Sequence, residues 1–166
     1  MTENRTIVIE PLTKSGFAPF GQVLTVEGAH HYPINGGMTE RYHDLADVAL
    51  AGENARPLIS IFRGQPYALP LTLKMVERHP LGSQAFMPLS ARPFLAIVAP
   101  DAGGTPQRPR AFLVPSGIGI NIGINVWHGV LTALDAESDF LVVDRGGDGN
   151  NLEEHFFKEH YTVRMP

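Results

Sequence analysis

The chain of 166 residues contains no cysteine. This absence excludes disulfides, thiolate nucleophiles, cysteine-ligated zinc and iron–sulfur clusters. Charged residues are also scarce, at 18% against 43% hydrophobic residues, and the net charge is −4. Proteins that bind nucleic acid or anionic membranes usually carry a concentrated positive surface, so neither partner is expected.

Long apolar runs are absent as well. No stretch approaches the roughly 20 apolar residues that a membrane-spanning helix requires. The first residues, MTENRTIVIE, lack the basic start and the apolar core of a secretory signal. Together with the missing cysteines, these features predict a cytoplasmic protein without a cleaved leader.

Glycine and proline, with 17 and 14 residues, separate short apolar runs along the whole chain. These runs lie at residues 6–10, 22–26, 58–62, 71–79, 84–89, 94–98, 110–114 and 118–126, followed by 130–134 and 140–143. Such close spacing favours an all-β sandwich, jelly roll or barrel over an α/β fold, which needs a helical pattern after each strand. No shift in composition marks a domain boundary, so residues 1–166 are expected to form a single domain.

One or two short helices are expected within this all-β pattern. Thr13 can cap a helix over residues 14–20. Asn151 can cap another over residues 151–158, where two glutamates would complement the helix dipole.

Two long segments, 28–45 and 99–109, lack a regular pattern. The first is rich in side chains that can bind a ligand, namely His30, His31, Tyr32, Asn35, Arg41, His43 and Asp44. Binding residues often lie on loops that a rigid scaffold positions. Segment 28–45 is therefore a candidate binding segment.

The apolar run that begins at residue 71 ends in two polar side chains. Alternation along a strand puts Glu77 and His79 on the same face as the preceding apolar residues. This arrangement is typical of a barrel strand near the mouth of a pocket, although a strand that simply emerges into solvent would look the same. A tight hairpin at 80–83 would bring Gln84 and Phe86 to the same rim.

A second alternation runs from Ile118 to His128. Its isoleucines predict a strand buried on one face, with His128 continuing that face and Asn121 on the other. Trp127 has two interpretations, packing or participation in a site.

Residues 142–151 form a glycine-rich stretch after a strand. It has no phosphate-loop pattern and no βαβ context, so nucleotide binding is not expected. Arg145 beside Asp144 is either an anion clamp or a structural ion pair.

Several strings together resemble the ureidoglycolate lyases, also called ureidoglycolate hydrolases. They are RYHDLA (41–46), ISIFR (59–63), PLTLKMVERHPLGSQAFMPL (70–89), VWH (126–128) and DFLVVDRGG (139–147). The resemblance covers most of the chain in order. It implies a cupin-like β-barrel, a homodimer, and a carbon–nitrogen lyase of allantoin and purine degradation that cleaves a small molecule, ureidoglycolate, to glyoxylate and urea.

The chain departs from that family pattern near the tryptophan. The family usually has a histidine four residues before it and a pair of histidines after it, whereas here the flanking positions are Gly123 and Gly129, which leaves only His128. The alternative is therefore a non-catalytic or altered-specificity cupin that binds a small carboxylate.

Many cupins hold a metal ion with three histidines and a glutamate. The corresponding positions here are Glu77, His79, Gln84 and then Gly123 or His128. At most two imidazoles and an amide make a weak set for zinc, iron or manganese. We expect no metal and no other cofactor, with a metal-dependent cupin enzyme as the remaining alternative.

The implied reaction needs a base for the hydroxyl proton of the substrate and an acid for the departing nitrogen. Imidazole suits both tasks near neutral pH. We hypothesise that His79 and His128 share the proton transfers and that Glu77 orients or tunes an imidazole.

Binding of the substrate requires different residues. Arg41 or Arg63 is the candidate anchor for its carboxylate, and Gln84 or Asn121 for its ureido group, with Phe86 beside them.

Overall fold

The computed structural model describes residues 4–166. Its strands, in chain order, are β1 (Thr6–Val8), β2 (Glu10–Pro11), β3 (Gly21–Leu24), β4 (His31–Ile34), β5 (Thr39–Tyr42), β6 (Arg56–Gly64), β7 (Leu71–Arg78), β8 (Gln84–Pro88), β9 (Phe94–Ala99), β10 (Asp101–Ala102), β11 (Thr105–Pro106), β12 (Arg110–Val114), β13 (Gly119–Ile122), β14 (Trp127–His128), β15 (Thr132–Ala133), β16 (Ser138–Gly146) and β17 (Glu153–Arg164). The described chain also contains the α-helix α1 (Lys14–Phe17) and a 3-10 turn (Asn35–Gly37).

Two sheets make up the body of the fold. The eight-stranded sheet has the order β1-β17-β7-β14-β9-β12-β2, with β15 also paired to β9. The five-stranded sheet has the order β3-β13-β8-β16-β6. The prediction of an all-β, barrel-like fold is confirmed.

The eight-stranded sheet closes on itself through the first strands of the chain. β1 lies parallel to β17 at one edge, and β2 lies parallel to β12 at the other. Only Ile9 separates β1 from β2, and its N–H donates to the carbonyl of Arg164 at 2.9 Å. One short segment therefore joins both edges, which leaves the sheet nearly without free edges.

β9 lies at the centre of the core and is buried on both faces. Phe94, Ala96 and Val98 pack towards the five-stranded sheet, whereas Leu95 and Ile97 pack into a second cluster inside the curled eight-stranded sheet. A strand covered on both sides needs apolar residues at every position, which explains the unbroken run FLAIVA.

One expected helix is present and the other is not. α1 is shorter than predicted, but Thr13 caps it as expected, with its hydroxyl oxygen accepting from the Gly16 N–H at 3.0 Å. The helix predicted over 151–158 is wrong, because this segment enters strand β17. Its alternating burial and its pairing with β7 and β1 outweigh the local cap signal.

Two further local predictions are wrong. Residues 80–83 do not close a hairpin, because β7 belongs to the eight-stranded sheet and β8 to the five-stranded sheet. The segment carries the chain from one sheet to the other. The strand predicted over 118–126 stops at Ile122, and a turn with Asn125 at a φ of 61° follows before β14 begins.

The two segments without a regular pattern each contain a small hairpin. β4 and β5 pair within 28–45, and β10 and β11 pair within 99–109. Neither hairpin is hydrogen-bonded into one of the large sheets. In the part of the chain that the structure describes, no helix has the length and apolar character needed to cross a bilayer.

Candidate active site

Two predicted catalytic residues are cross-strand neighbours. β14 pairs with β7 so that His128 lies opposite Glu77, and His79 directly follows β7. One nitrogen from each imidazole and one carboxylate oxygen of Glu77 all lie within 4.8 Å of one another. The ring centres of His79 and His128 are 5.1 Å apart. The structure thus brings together the three residues predicted to carry the chemistry.

This cluster adjoins a cavity of about 670 Å³ between the two sheets. Its volume falls in the range of small-molecule sites. The cavity is lined by Phe62, Arg63, Gly64, Gln65, Pro66, Tyr67, Glu77, Gln84, Phe86, His128, Val130 and Leu131. A small organic acid has room to reach Glu77 and His128 from this cavity.

Both imidazoles have a fixed orientation. Nδ1 of His79 lies 2.8 Å from the carbonyl oxygen of Asn151, and Nδ1 of His128 lies 2.9 Å from that of Gly129. A carbonyl only accepts, so each Nδ1 carries a hydrogen, and in the neutral form of each ring Nε2 presents a lone pair. Both Nε2 atoms are buried, and no described residue hydrogen-bonds to them. The Nε2 atoms of His79 and His128 can therefore each accept a hydrogen bond from a ligand.

Burial changes the ionisation of this cluster. It lowers the pKa of His128 to about 4, and the neighbouring His79 acts in the same direction. His128 is therefore neutral at pH 7. Burial also raises the pKa of Glu77, while attraction to His79 opposes this effect. The low polarity of the site thus favours the uncharged forms of both residues.

Gln84 and Phe86 line the cavity from the opposite sheet, on β8. The Gln84 amide donates to the Asp144 carboxylate at 3.2 Å, which leaves its carbonyl oxygen as an acceptor. Phe86 packs edge-to-face on Phe62, with ring centres 6.0 Å apart. Although the predicted hairpin is absent, the crossover between sheets brings both residues to the cavity.

The structure does not bring Asn121 or Arg41 to the cavity. Asn121 is buried elsewhere and donates to the Gln22 side chain and the Asp47 carbonyl, each at 2.9 Å. Arg41 lies on the exposed strand β5, 6.0 Å from the ring centre of Tyr32. Within the described chain, both side chains are thus separate from the cluster of Glu77, His79 and His128.

Arg63 is the only cation among the described residues that line the cavity. Its guanidinium donates to both oxygens of Asp139, at 2.8 and 3.0 Å, and lies 3.6 Å from Glu137. Its side chain is 64% exposed, so it can turn towards another anion without breaking a buried contact.

The sequence leaves two interpretations each for Trp127 and Arg145, and both side chains make structural contacts. Trp127 is buried, donates to Asp101 at 2.8 Å and stacks beneath the Arg78 guanidinium, so it packs behind the site. Arg145 does not pair with Asp144. Instead it donates to the main-chain carbonyls of Ala51 and Asp148 at 2.8 and 2.7 Å and ties loops together.

Three residues of this region are not among the site residues predicted from the sequence. Gln65 and Tyr67 line the cavity, and Asn151 holds the ring of His79. The first two follow directly on β6, and a loop at the end of a barrel strand is a frequent place for a site. Asn151 gave no comparable signal, because its contact with His79 uses the main chain.

Glu77, His79 and His128 could also hold a divalent cation. Two unpaired Nε2 atoms and a carboxylate form a three-ligand set of nitrogen and oxygen donors, and carbonyl bonds orient both rings as in many metal sites. The sequence pattern suggests Gln84 as one of the ligands, which makes the predicted metal site weak. In the structure, the three-ligand set of Glu77, His79 and His128 does not include Gln84. The absence of a metal stays a prediction.

Gly123 and Gly129 lie on either side of β14. The cluster of Glu77, His79 and His128 forms without a side chain at either glycine. A Cβ at Gly129 would lie 3.2 Å from the Cβ of Ile97, tighter than ordinary packing. A side chain there would require Ile97 to shift by a few tenths of an ångström. The main-chain carbonyl of Gly129 holds His128, and any residue can supply that group.

Comparison with known proteins finds relatives over nearly the whole chain. Residues 4–164 match the family described as Ureidoglycolate lyase. A protein of Chelativorans sp. (strain BNC1) named "Ureidoglycolate lyase" is 62% identical over 98% of both chains. Its namesake from Mesorhizobium japonicum is 58% identical over 96% of this chain and 98% of its own. "Ureidoglycolate lyase 2" of Rhizobium meliloti is 59% identical over 93% and 95% of the two chains.

The buried His128 predicts how stability depends on pH. The unfolded chain binds a proton at this residue below about pH 6.5, whereas the folded chain does so only below about pH 4. The contribution of His128 is therefore fully present above that window and is lost as the pH falls through it. Between about pH 7 and about pH 4.5, the free energy of unfolding should drop by about 2 kcal/mol from this residue.

Urea denaturation at about pH 7 and about pH 4.5 measures this loss, with EDTA present to keep metal ions off the site. H128Q lacks the titrating group, so its stability should fall less between the two conditions. Equal losses in the wild-type protein and H128Q would contradict the prediction.

Proposed function

The chain belongs to the ureidoglycolate lyase family, and we propose that it cleaves ureidoglycolate to glyoxylate and urea. The observation that carries this proposal is the pair of buried, unpaired Nε2 acceptors beside Glu77 at the edge of the cavity. The names of the relatives support an enzyme over a binding module, the alternative raised by Gly123 and Gly129. The reaction would serve allantoin and purine degradation.

The reaction moves one proton within the substrate. One carbon of ureidoglycolate carries a hydroxyl, a carboxylate and the ureido nitrogen. Removal of the hydroxyl proton forms the carbonyl of glyoxylate, the carbon–nitrogen bond breaks towards nitrogen, and protonation of that nitrogen releases urea. Because both atoms are attached to the same carbon, one imidazole can take the proton from oxygen and return it to nitrogen.

His79 is the better candidate for this proton transfer. Its Nε2 is a free acceptor, and the Glu77 carboxylate close by stabilises the imidazolium that forms. Burial opposes a charge on His128, so this ring stays neutral and orients the substrate by accepting a hydrogen bond. A divalent cation held by Glu77, His79 and His128 would supply Lewis-acid polarisation of a substrate oxygen.

Two residues of the cavity are suited to hold the rest of the substrate. Arg63 offers the charge that a carboxylate requires. Gln84, held by Asp144, offers a carbonyl oxygen to the N–H groups of the ureido moiety. Phe86 closes the cavity beside Gln84 with an apolar surface.

Substitution of the cluster tests the proposed reaction. H79Q should lower kcat by about 10²- to 10⁴-fold, because the proton carrier is lost. E77Q and H128Q should also lower kcat. The assay follows glyoxylate and measures urea and ammonia separately, since a lyase yields urea and an amidohydrolase yields ammonia.

H160N is the matched control, because His160 is an exposed histidine of β17 away from the cavity. It should keep wild-type rates. Full activity in both H79Q and H128Q would remove the roles assigned to the two rings, and ammonia as the product would refute a lyase.

Replacement of Arg63 tests the carboxylate anchor. R63A should raise KM for ureidoglycolate by about 10-fold, because a charge-assisted hydrogen bond of about 1.4 kcal/mol is lost. kcat should change less. R164A, which alters an exposed arginine of β17 away from the cavity, serves as the control. An increase in KM for R41A and none for R63A would transfer the role to the β4–β5 hairpin.

We further propose that the protein is a homodimer formed through β6. This strand is an edge of the five-stranded sheet, and Ile59 and Ile61 on it are 77% and 56% exposed. Leu89 beside the same sheet is 57% exposed. A long, apolar edge strand pairs readily with another chain, and two identical edges can meet around a two-fold axis.

I61E should convert the dimer to a monomer, because the two new carboxylates would lie close together at that axis. Sedimentation velocity measures the change in mass. F156E places the same charge on an exposed residue of the other sheet and should leave the dimer intact. A monomeric F156E together with a dimeric I61E would assign the interface to the eight-stranded sheet.

A further inference from the structure

Asn151 contacts the candidate site through both its main chain and its side chain. Its carbonyl oxygen accepts from Nδ1 of His79 at 2.8 Å, and its side-chain oxygen accepts from the N–H of Leu81 at 2.8 Å. One residue thus holds the catalytic ring and also the turn that follows this ring in the chain.

The Leu81 contact fixes the distance between two segments that are far apart in sequence. The turn after His79 and the loop before β17 have no strand ladder between them at this point. The Leu81 carbonyl is also occupied, since it accepts from the Ala51 N–H at 2.8 Å. Without the side chain of Asn151, the Leu81 N–H would lose its acceptor and the loop its attachment to the turn.

The main chain of His79 is held independently. Its carbonyl accepts from the Asn125 N–H at 2.9 Å, and β7 leads directly into it. Movement of the Asn151 loop would therefore leave the backbone of His79 in place and release only its ring. A ring without the carbonyl acceptor can exchange its hydrogen between Nδ1 and Nε2 and can rotate.

From these contacts we infer that Asn151 is a positioning residue, whose side-chain clamp on Leu81 holds its own carbonyl against His79 and so keeps the Nε2 lone pair aimed into the site. The inference rests on the proposed function for its effect on turnover. Its effect on the state of the ring is independent of that function.

N151A should lower kcat by about 10-fold while KM changes little, because loss of a partner that orients an active-site histidine typically costs about 10- to 100-fold. N151D keeps an oxygen that accepts from Leu81 and should restore most of kcat. N150A is the matched control, because the neighbouring Asn150 bonds only to the nearby Leu152 N–H. It should behave like the wild-type protein.

Nitrogen NMR of the histidine rings gives a readout that does not depend on turnover. In the wild-type protein, His79 should show one protonated nitrogen, Nδ1, and one unprotonated nitrogen, Nε2. In N151A the two shifts should move towards each other as the tautomers exchange, and in N151D they should separate again. The spectrum of H79Q identifies the His79 signals by their loss.

Unchanged His79 shifts in folded N151A would overturn the inference, even if the variant were less stable or less active. Should N151A fail to fold, N151S replaces it, because its hydroxyl is too short to span the contact with Leu81. If the wild-type protein does not cleave ureidoglycolate, the proposed function fails, while the comparison of shifts still decides the role of Asn151.

Discussion

Two hydrogen bonds from imidazole rings to main-chain carbonyls determine what this site can do. They place a hydrogen on Nδ1 of both His79 and His128, which leaves an unpaired Nε2 on each ring of a cluster that includes Glu77. With the opposite tautomers, the two rings would present N–H donors at Nε2, which could neither take a proton from a hydroxyl nor bind a cation. The carbonyls belong to Gly129 and Asn151, so backbone geometry controls the ionisable groups.

The parts of the fold that could be predicted from sequence depend on local or repetitive signals. Short apolar runs between glycines and prolines indicate strands whichever strands they pair with, so the all-β class follows from the sequence. Glu77 and His79 could also be found, because alternation along one strand puts both at the end of an apolar face. Thr13 caps its helix through contacts within a few residues.

The helix predicted over 151–158 and the hairpin predicted at 80–83 are wrong because the deciding strand partners are distant in sequence. Residues 151–158 carry a helix cap signal, but pairing with β7 and β1 makes them a strand. Asn121 alternates correctly, yet the face it occupies meets Gln22 and Asp47 rather than a cavity. The sequence does not distinguish Arg63 from Arg41 as the carboxylate anchor. The arrangement of the sheets puts Arg63 at the cavity and Arg41 on the β4–β5 hairpin.

Closure of the eight-stranded sheet has a consequence for biosynthesis. Thr6 pairs with Thr162 and Val8 with Arg164, so the barrel seam joins segments at nearly opposite ends of the described chain. A ribosome must release the chain through Arg164 before this seam can form. β7 therefore waits during translation with the edge that β17 later covers, and pairing of β17 is a late step that shields this edge from other nascent chains.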